Sequence, residues 1–468
     1  MSYFLTPIII ATALFMEQLD GTVLATALPA MAADLHEDPV SLKLALTSYL
    51  LSLAVFIPLS GWAADKFGAR RVFRTAIVVF TIGSILCGLS NSLATIVAAR
   101  IVQGLGGAMM TPVGRLVLLR TAPRHELVRA MAYLTIPALI GPLIGPPIGG
   151  FIATYLHWRY IFWINVPIGA LGVALVTRFI PDLREERTPP LDVSGAILSG
   201  VGLSCLVFGF TIAGRGFAPA PVVTAIIAIG AAALFAYVRH ARRAPHPIID
   251  LALLRIPTFR ASVYGGFLFR IGLGATPFLL PLLLQAGFGL SAYEAGLLTF
   301  VSAAGAMLMK TTAQPILRIL SFRRVLIVNA LISAGFLAAN AVFSATTPHW
   351  LIMGVLLVGG FFRSLEFTAL NAIAYANVDH EAMSRATSFS SVAQQLSLST
   401  GVAIGAAALE GARALRGGGA LQAGDFTWAF YLVAAISTLA VTQFLPLSPR
   451  AGEELVGRRK APSGSKQP

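Results

Sequence analysis

The sequence predicts an all-α integral membrane protein with fourteen transmembrane helices. Hydrophobic residues make up 56% of the 468 positions and charged residues only 12%, against about 25% charged in a soluble domain. The mean hydropathy is +0.79. Fourteen mostly apolar stretches, each long enough to cross a bilayer with about 20 residues, follow one another along the chain.

These stretches run over roughly 5–33, 42–63, 72–92, 93–119, 128–155, 158–179, 192–213, 219–239, 257–285, 291–314, 324–345, 348–376, 383–410 and 426–447. The opening "MSYFLTPIII" has no basic flank, and its apolar run continues to Ala33, so it reads as a retained helix rather than a cleaved signal. The two cysteines, Cys87 and Cys205, each lie inside an apolar stretch and read as small buried hydrophobes, not as a disulfide or a metal site.

An even number of spans puts both termini on one side, and the basic residues say which. One set of loops and the tail hold 24 of the 34 Lys and Arg, the opposite loops hold five, and five more lie inside spans. That asymmetry predicts cytoplasmic termini. It also accounts for the net charge of +14 without any nucleic acid.

Two polar connections, "PDLREERTPPLD" and "RHARRAPHPIIDLALLRIP", bracket the seventh and eighth spans. The expected organisation is therefore a six-helix bundle at 1–180, an inserted pair with its linkers at 181–256, a second six-helix bundle at 257–447, and a disordered basic tail at 448–468. The loops are too short for a folded soluble domain.

Three motifs carry a mechanism. "GWAADKFGARR" follows the second span. Its Gly61 and Gly68 allow close packing and a tight turn, while Asp65, Arg70 and Arg71 either lock helix ends by charge or form an ordinary basic loop. In the fourth span, "RIVQGLGGAMMTPVGR" sets Gln103 three residues after Arg100. Its glycines lack the GxGxxG spacing and the preceding strand of a dinucleotide site, so they read as helix-packing positions. The fifth span, "ALIGPLIGPPIGGF", places Gly141, Gly145 and Gly149 at i, i+4 and i+8 on one smooth face, with Pro146 and Gly150 beside it. Such a face suits either sliding against a partner helix or static packing.

These stretches, with "LDGTVLATALP", "WRYIFWINVPIG" and the fourteen-span layout, resemble the major facilitator superfamily and its 14-helix drug:proton antiporter family. "GWAADKFGARRVF", "GGAMMTPVGRL" and "RIGLGATPFLLPLLLQAGFGLSAYEAGL" are similar to the MdtD-type multidrug exporters of bacterial inner membranes. The counterpart of the Asp65 loop in the second half, "PILRILSFRRV", keeps the bases but lacks the acid. The resemblance implies two six-helix bundles around a cavity exposed alternately to each side. It also implies export coupled to inward proton flow, with protons and a small molecule as partners, no cofactor, and a monomer in the lipid bilayer.

Eight ionisable residues lie well inside spans: Glu17, Asp20, Arg100, Arg115, Arg270, Lys310, Arg363 and Glu366. At about 3 kcal/mol each on insertion scales, exposing all of them to lipid would cost roughly 24 kcal/mol, more than the net stability of most proteins. They must pair or line water. Asp20 and Arg100 are expected to meet across the first bundle. Arg363 and Glu366, at i and i+3, are expected to neutralise each other. Arg115 and Lys310 lie near cytoplasmic ends and can snorkel; Arg270 has no local acid and is a cavity candidate.

Glu17 and Asp20 point within about 60° of one another on a helix, and two carboxylates that close resist joint ionisation. All seven histidines fall in loops or at helix ends, so proton handling is assigned to Asp20, Glu17 and Arg100. The expected cavity residues are Glu17, Arg270, Arg363, Glu366, Gln103 and Lys310. Glu17 would favour cationic compounds. The bases of the second half would favour organic anions such as a carboxylate or a metal chelate, which is the alternative reading. No nucleophile–base or metal cluster suggests an enzyme, and no loop could hold a receptor's sensory domain.

Overall fold

The computed structural model describes residues 5–121, 127–181, 190–212, 219–245, 247–379 and 382–452. Side chains at some positions within these ranges, including Arg115 and Lys310, lie outside the described set, as does most of the 448–468 tail.

The described residues fold into helices joined by short connections. In the first half these are α1 (Leu5–Leu35), α2 (Lys43–Phe67), α3 (Ala69–Leu89), α4 (Leu93–Thr121), α5 (Leu127–Tyr155) and α6 (Asn165–Phe179), the last led in by the turn Tyr160–Trp163. The inserted pair is α7 (Val193–Ile212) and α8 (Ala220–Ala241). The second half comprises α9 (Pro257–Leu282), α10 (Ala292–Ile319), α11 (Phe322–Ala339), α12 (His349–Ala374), α13 (Met383–Leu415) and α14 (Ala423–Thr438). Every predicted span thus corresponds to one long helix. Twelve of them meet length and hydropathy criteria for crossing a membrane. Of the other two, α7 gives a shorter apolar stretch, Val193–Gly209, and α5 runs through residues whose side chains are not described.

Local sequence explains how the helices start and stop. Gly68 sits at φ +91°, a conformation that L side chains rarely adopt, and turns α2 into α3 within a single residue. A capping box between Ser291 and Glu294 starts α10. The prolines Pro277 and Pro281 lie near the end of α9, which runs into a wide π turn over Leu283–Gly287.

The glycine face of α5 lies against α1. A Cβ on Gly141 would stand 3.0 Å from the Leu19 backbone nitrogen, one on Gly145 would overlap Thr22 Oγ1, and one on Gly149 would overlap the Val23 carbonyl. Gly150 points elsewhere, onto the Ala292 carbonyl of α10, and Gly296 of α10 packs on the Pro146 carbonyl. One helix therefore packs both within the first half and across to the second.

The two halves are joined at the end of the bundle away from the termini. The largest buried apolar cluster is continuous there, with Leu28, Met31 and Ile152 from the first half and Phe278, Leu282 and Leu409 from the second. Polar ties add to it. Gln285 Nε2 donates to the Thr26 carbonyl at 3.1 Å, the Tyr293 amide donates to Thr154 Oγ1 at 3.0 Å, and Arg413 Nη1 lies 2.5 Å from Asp38 Oδ2.

The inserted pair lies outside the core. Helix α7 packs on α2, where a Cβ on Gly200 would reach Val55 at 3.3 Å, and α8 closes on α7 through Gly202, Leu234, Leu206 and Gly230. The Tyr237 hydroxyl donates to the Ile249 carbonyl and accepts from its amide, both at 2.9 Å, which ties the linker to α8.

Candidate functional site

Asp20 lies at the middle of α1, and its side chain is sealed from solvent together with that of Arg100 of α4. Arg100 Nη1 is 2.5 Å from Asp20 Oδ2 and also donates to Gln103 Oε1 at 2.7 Å. The other carboxylate oxygen of Asp20 accepts from Gln103 Nε2 at 2.9 Å and from Asn165 Nδ2 at 3.0 Å. Asn165 also donates to Ser84, whose hydroxyl donates to the Phe162 carbonyl at 2.9 Å. Arg100 Nε donates to the Ala45 carbonyl at 3.1 Å, and the guanidinium lies 4.2 Å over the Tyr49 ring. Helices α1, α2, α3, α4 and α6 thus converge on one ion pair. Charge inside the bundle is tolerated here because both carboxylate oxygens are fully engaged.

The sequence supplied Asp20, Arg100 and Gln103. It did not single out Asn165, Ser84 or Tyr49, although Asn165 stands in the quoted "WRYIFWINVPIG" stretch. A lone amide at the start of an apolar helix is the signal that could have found it.

Glu17 is also buried, but it takes no part in that network: Thr111 Oγ1 of α4 donates to its Oε2 at 2.9 Å. The three-residue spacing sends the two carboxylates of α1 to different neighbours.

Between the halves lies a cavity of about 320 Å3. Its wall is formed by Thr22, Thr26 and Pro146 from the first half, and by Leu273, Pro277, Thr299, Ser302, Met307, Arg363 and Phe367, among others, from the second. Among the described residues Arg363 is the one charged group in this wall, and its Nη2 donates to Ser302 Oγ at 2.5 Å. Glu17, Gln103, Arg270 and Glu366 do not line it, and the Lys310 side chain lies outside the described residues.

The expected pairing of Arg363 with Glu366 does not form. Arg363 faces the cavity, whereas Glu366 turns inside the second half, where Asn329 Nδ2 donates to its Oε2 at 3.0 Å. Two positions three apart differ by about 60° around a helix; here that angle separates an inter-half cavity from a bundle interior. Arg270, buried on α9, donates to Asn371 Oδ1 at 3.1 Å and lies 5.4 Å over Phe367. Its partners are neutral and come from α12.

Of the loop motif, Gly68 makes the turn already described. Arg70 Nη1 reaches the Ile180 carbonyl at 3.5 Å, Gly61 has open space around its Cβ position, and Asp65 and Arg71 sit at the facing ends of α2 and α3. At the opposite end three arginines on the sparsely basic side are held by acids. Arg159 bonds Asp34 at 2.7 Å, Arg413 bonds Asp38, and Arg416 bonds Asp425 at 2.8 Å. These ties are not legible in the sequence, since Asp34 and Asp38 are remote from their bases and Asp425 meets Arg416 only across the turn before α14. No cluster of His, Cys, Asp or Glu able to hold a metal occurs among the described residues.

A family model described as Major Facilitator Superfamily matches residues 10–402, and again 262–467. Among relatives carrying the name "Putative multidrug resistance protein MdtD", that of Pectobacterium carotovorum is 40% identical over 86% of this chain and 86% of its own length. The Escherichia coli strain CFT073 relative is 38% identical over 86% and 85%, and that of Cronobacter sakazakii is 35% identical over 98% and 97%. Among solved structures, a D-xylose-proton symporter superimposes with a TM-score of 0.70 at 13% identity, over 95% of this chain and 98% of that one. A peptide transporter of the POT family gives 0.65 at 16% identity, over 99% and 98%. The structural likenesses establish the fold, and the family match spans most of the sequence. The chain belongs to the major facilitator superfamily of membrane transporters.

Proposed function

We propose that the chain is a proton-driven exporter of small amphipathic compounds in a bacterial inner membrane, working by alternating access as a monomer without a cofactor. The observation that carries this reading is the cavity between the halves, mostly apolar, with polar groups at a few points, as sites for amphipathic small molecules are. The name shared by the relatives supports multidrug export. The basic-residue asymmetry supports cytoplasmic termini. The proposed units are 1–180, 181–256, 257–447 and 448–468.

Organic-anion export has less support, because the relatives are named for multidrug resistance; Arg363, whose charge neutral Ser302 does not compensate, is the one feature of the described cavity wall that favours it.

In this reading the Asp20–Arg100 pair, braced by Gln103, holds the first half in one of its states, and Glu17 carries the exchangeable proton. The glycine face of α5 with Pro146, and the loop of Gly61, Asp65, Gly68, Arg70 and Arg71, serve the movement between states. The test is export of ethidium and tetraphenylphosphonium from proteoliposomes under an imposed pH gradient. Export that ignores the gradient removes proton coupling, and full coupling in Glu17→Gln removes Glu17 from the role.

A further inference from the structure

The second half contains a buried acid and a buried arginine on α12 and α9, helices that match α4 and α1 of the first half in chain order. The signs are exchanged: Asp20 and Arg100 sit on the first and fourth helices of their half, Arg270 and Glu366 on the first and fourth of theirs. The state of the pair differs as well. Asp20 has both oxygens bonded, whereas Glu366 Oε1 has no hydrogen-bond partner although the residue is fully buried. Each arginine leaves one buried nitrogen unpartnered, Arg100 Nη2 and Arg270 Nε, but Arg270 and Glu366 make no ion pair.

A small hollow adjoins the central cavity at Arg363 and Ser302 and runs between α9, α11, α12 and α14. Its volume is about 30 Å3, enough to hold water. Ser333 and Asn340 line it, and Ser333 Oγ and Asn340 Oδ1 are buried without hydrogen-bond partners. Asn329, which bonds Glu366, is one helical turn from Ser333 on α11, and its own Oδ1 is also unpartnered. A stripe of buried polar groups therefore leads from the cavity wall to the carboxyl. Buried polar atoms without partners are costly. Three of them along the edge of α11 and the turn that follows it, with Glu366 Oε1 of α12 beyond Asn329, indicate a hydrated route.

We propose that Glu366 is a second proton-carrying carboxyl, reached from the central cavity along the Asn329–Ser333–Asn340 stripe of α11 and balanced by Arg270. This rests on the proton-exchange reading above and adds a second carrier to it. Neutral Glu366 gives its O–H proton to a water entering past Asn329 from the hollow, which Glu366 itself does not line, and the carboxylate left behind is compensated by Arg270, which keeps all its protons. Uptake of a proton from water restores the neutral acid. Among the described residues, Glu366 has Arg270 of α9 as its nearby charge and Asn329 of α11 as its hydrogen-bond donor, while Ser302 of α10 and Ser437 of α14 line the hollow and Arg363 of its own helix points to the cavity.

The test needs no substrate. Infrared spectra of the purified full chain in lipid, with Glu17→Gln in every sample so that the first proposed carrier is silent, are expected to show a protonated-carboxyl band that Glu366→Gln abolishes and Asp20→Asn retains. The band should shift promptly on transfer to heavy water, and Ser333→Leu, which fills the hollow without touching the acid, should abolish that prompt shift. An identical band in Glu366→Gln, or unchanged exchange in Ser333→Leu, overturns the proposal. Should Glu366→Gln fail to purify, Arg270→Gln gives the same decision: ionisation of the band on alkaline titration, seen in the parent, should be lost, and its persistence overturns the proposal. A parent that exports ethidium without regard to pH gradient would instead refute proton coupling itself, and the infrared result would stand separately.

Discussion

Replacing Asp20 by Asn is the sharpest perturbation of the buried network, because shape is kept and one charge is removed. Arg100 would retain the Gln103 and Ala45 acceptors and the Tyr49 ring, but would lose the carboxylate at 2.5 Å. Removing one member of a buried pair costs about 3–5 kcal/mol. With two neutral acceptors and an aromatic face still in place, the lower end applies, about 3 kcal/mol. At 1.4 kcal/mol per decade that is roughly a hundredfold loss in the folded-state equilibrium. The assay is denaturant unfolding of the purified protein in mixed micelles, run on Asp20→Asn, Arg100→Gln and the double variant. The double variant should be more stable than the sum of the single losses implies, since no unpaired charge remains. Strict additivity, or a change under about 0.5 kcal/mol in Asp20→Asn, would refute the argument that this pair must be neutralised together.

Three further outcomes follow from the packing and the cavity. Gly149→Ala, whose Cβ would overlap the Val23 carbonyl, should lose about 1–3 kcal/mol, whereas Gly61→Ala, with open space, should be neutral or slightly stabilised; apparent melting temperatures distinguish them. Asp38→Asn removes a half-exposed tie between the halves and should cost no more than about 1 kcal/mol, with the difference from the parent fading at high salt. Arg363→Gln removes the charge from the described cavity wall and should tighten tetraphenylphosphonium binding severalfold, measured by equilibrium dialysis; unchanged affinity would mean that the cation does not occupy this cavity.

Much of the fold was legible in the sequence because a bilayer imposes length and polarity on each segment separately. The fourteen stretches correspond to the fourteen long helices. The i, i+4, i+8 glycines were readable as one face because helical periodicity is local, although the partner of that face, α1 for three of the glycines and α10 for Gly150, was not. Expense also identified the buried charges: eight ionisable residues inside spans could not all face lipid.

Their partners were decided elsewhere. Glu17 and Asp20 on α1 have the same three-residue spacing as Arg363 and Glu366 on α12, yet neither pair behaves as local geometry suggests. Thr111 takes Glu17, Arg100 and Asn165 take Asp20, Ser302 takes Arg363, and Asn329 takes Glu366. Sequence by itself determined that these groups are buried in a many-helix membrane bundle, because the cost of charge in lipid depends on the segment alone. Which group meets which, and that Arg363 rather than Glu366 faces the cavity, only the tertiary structure decided, because a rotation of about 60° around a helix axis has meaning only once the neighbouring helices are in place.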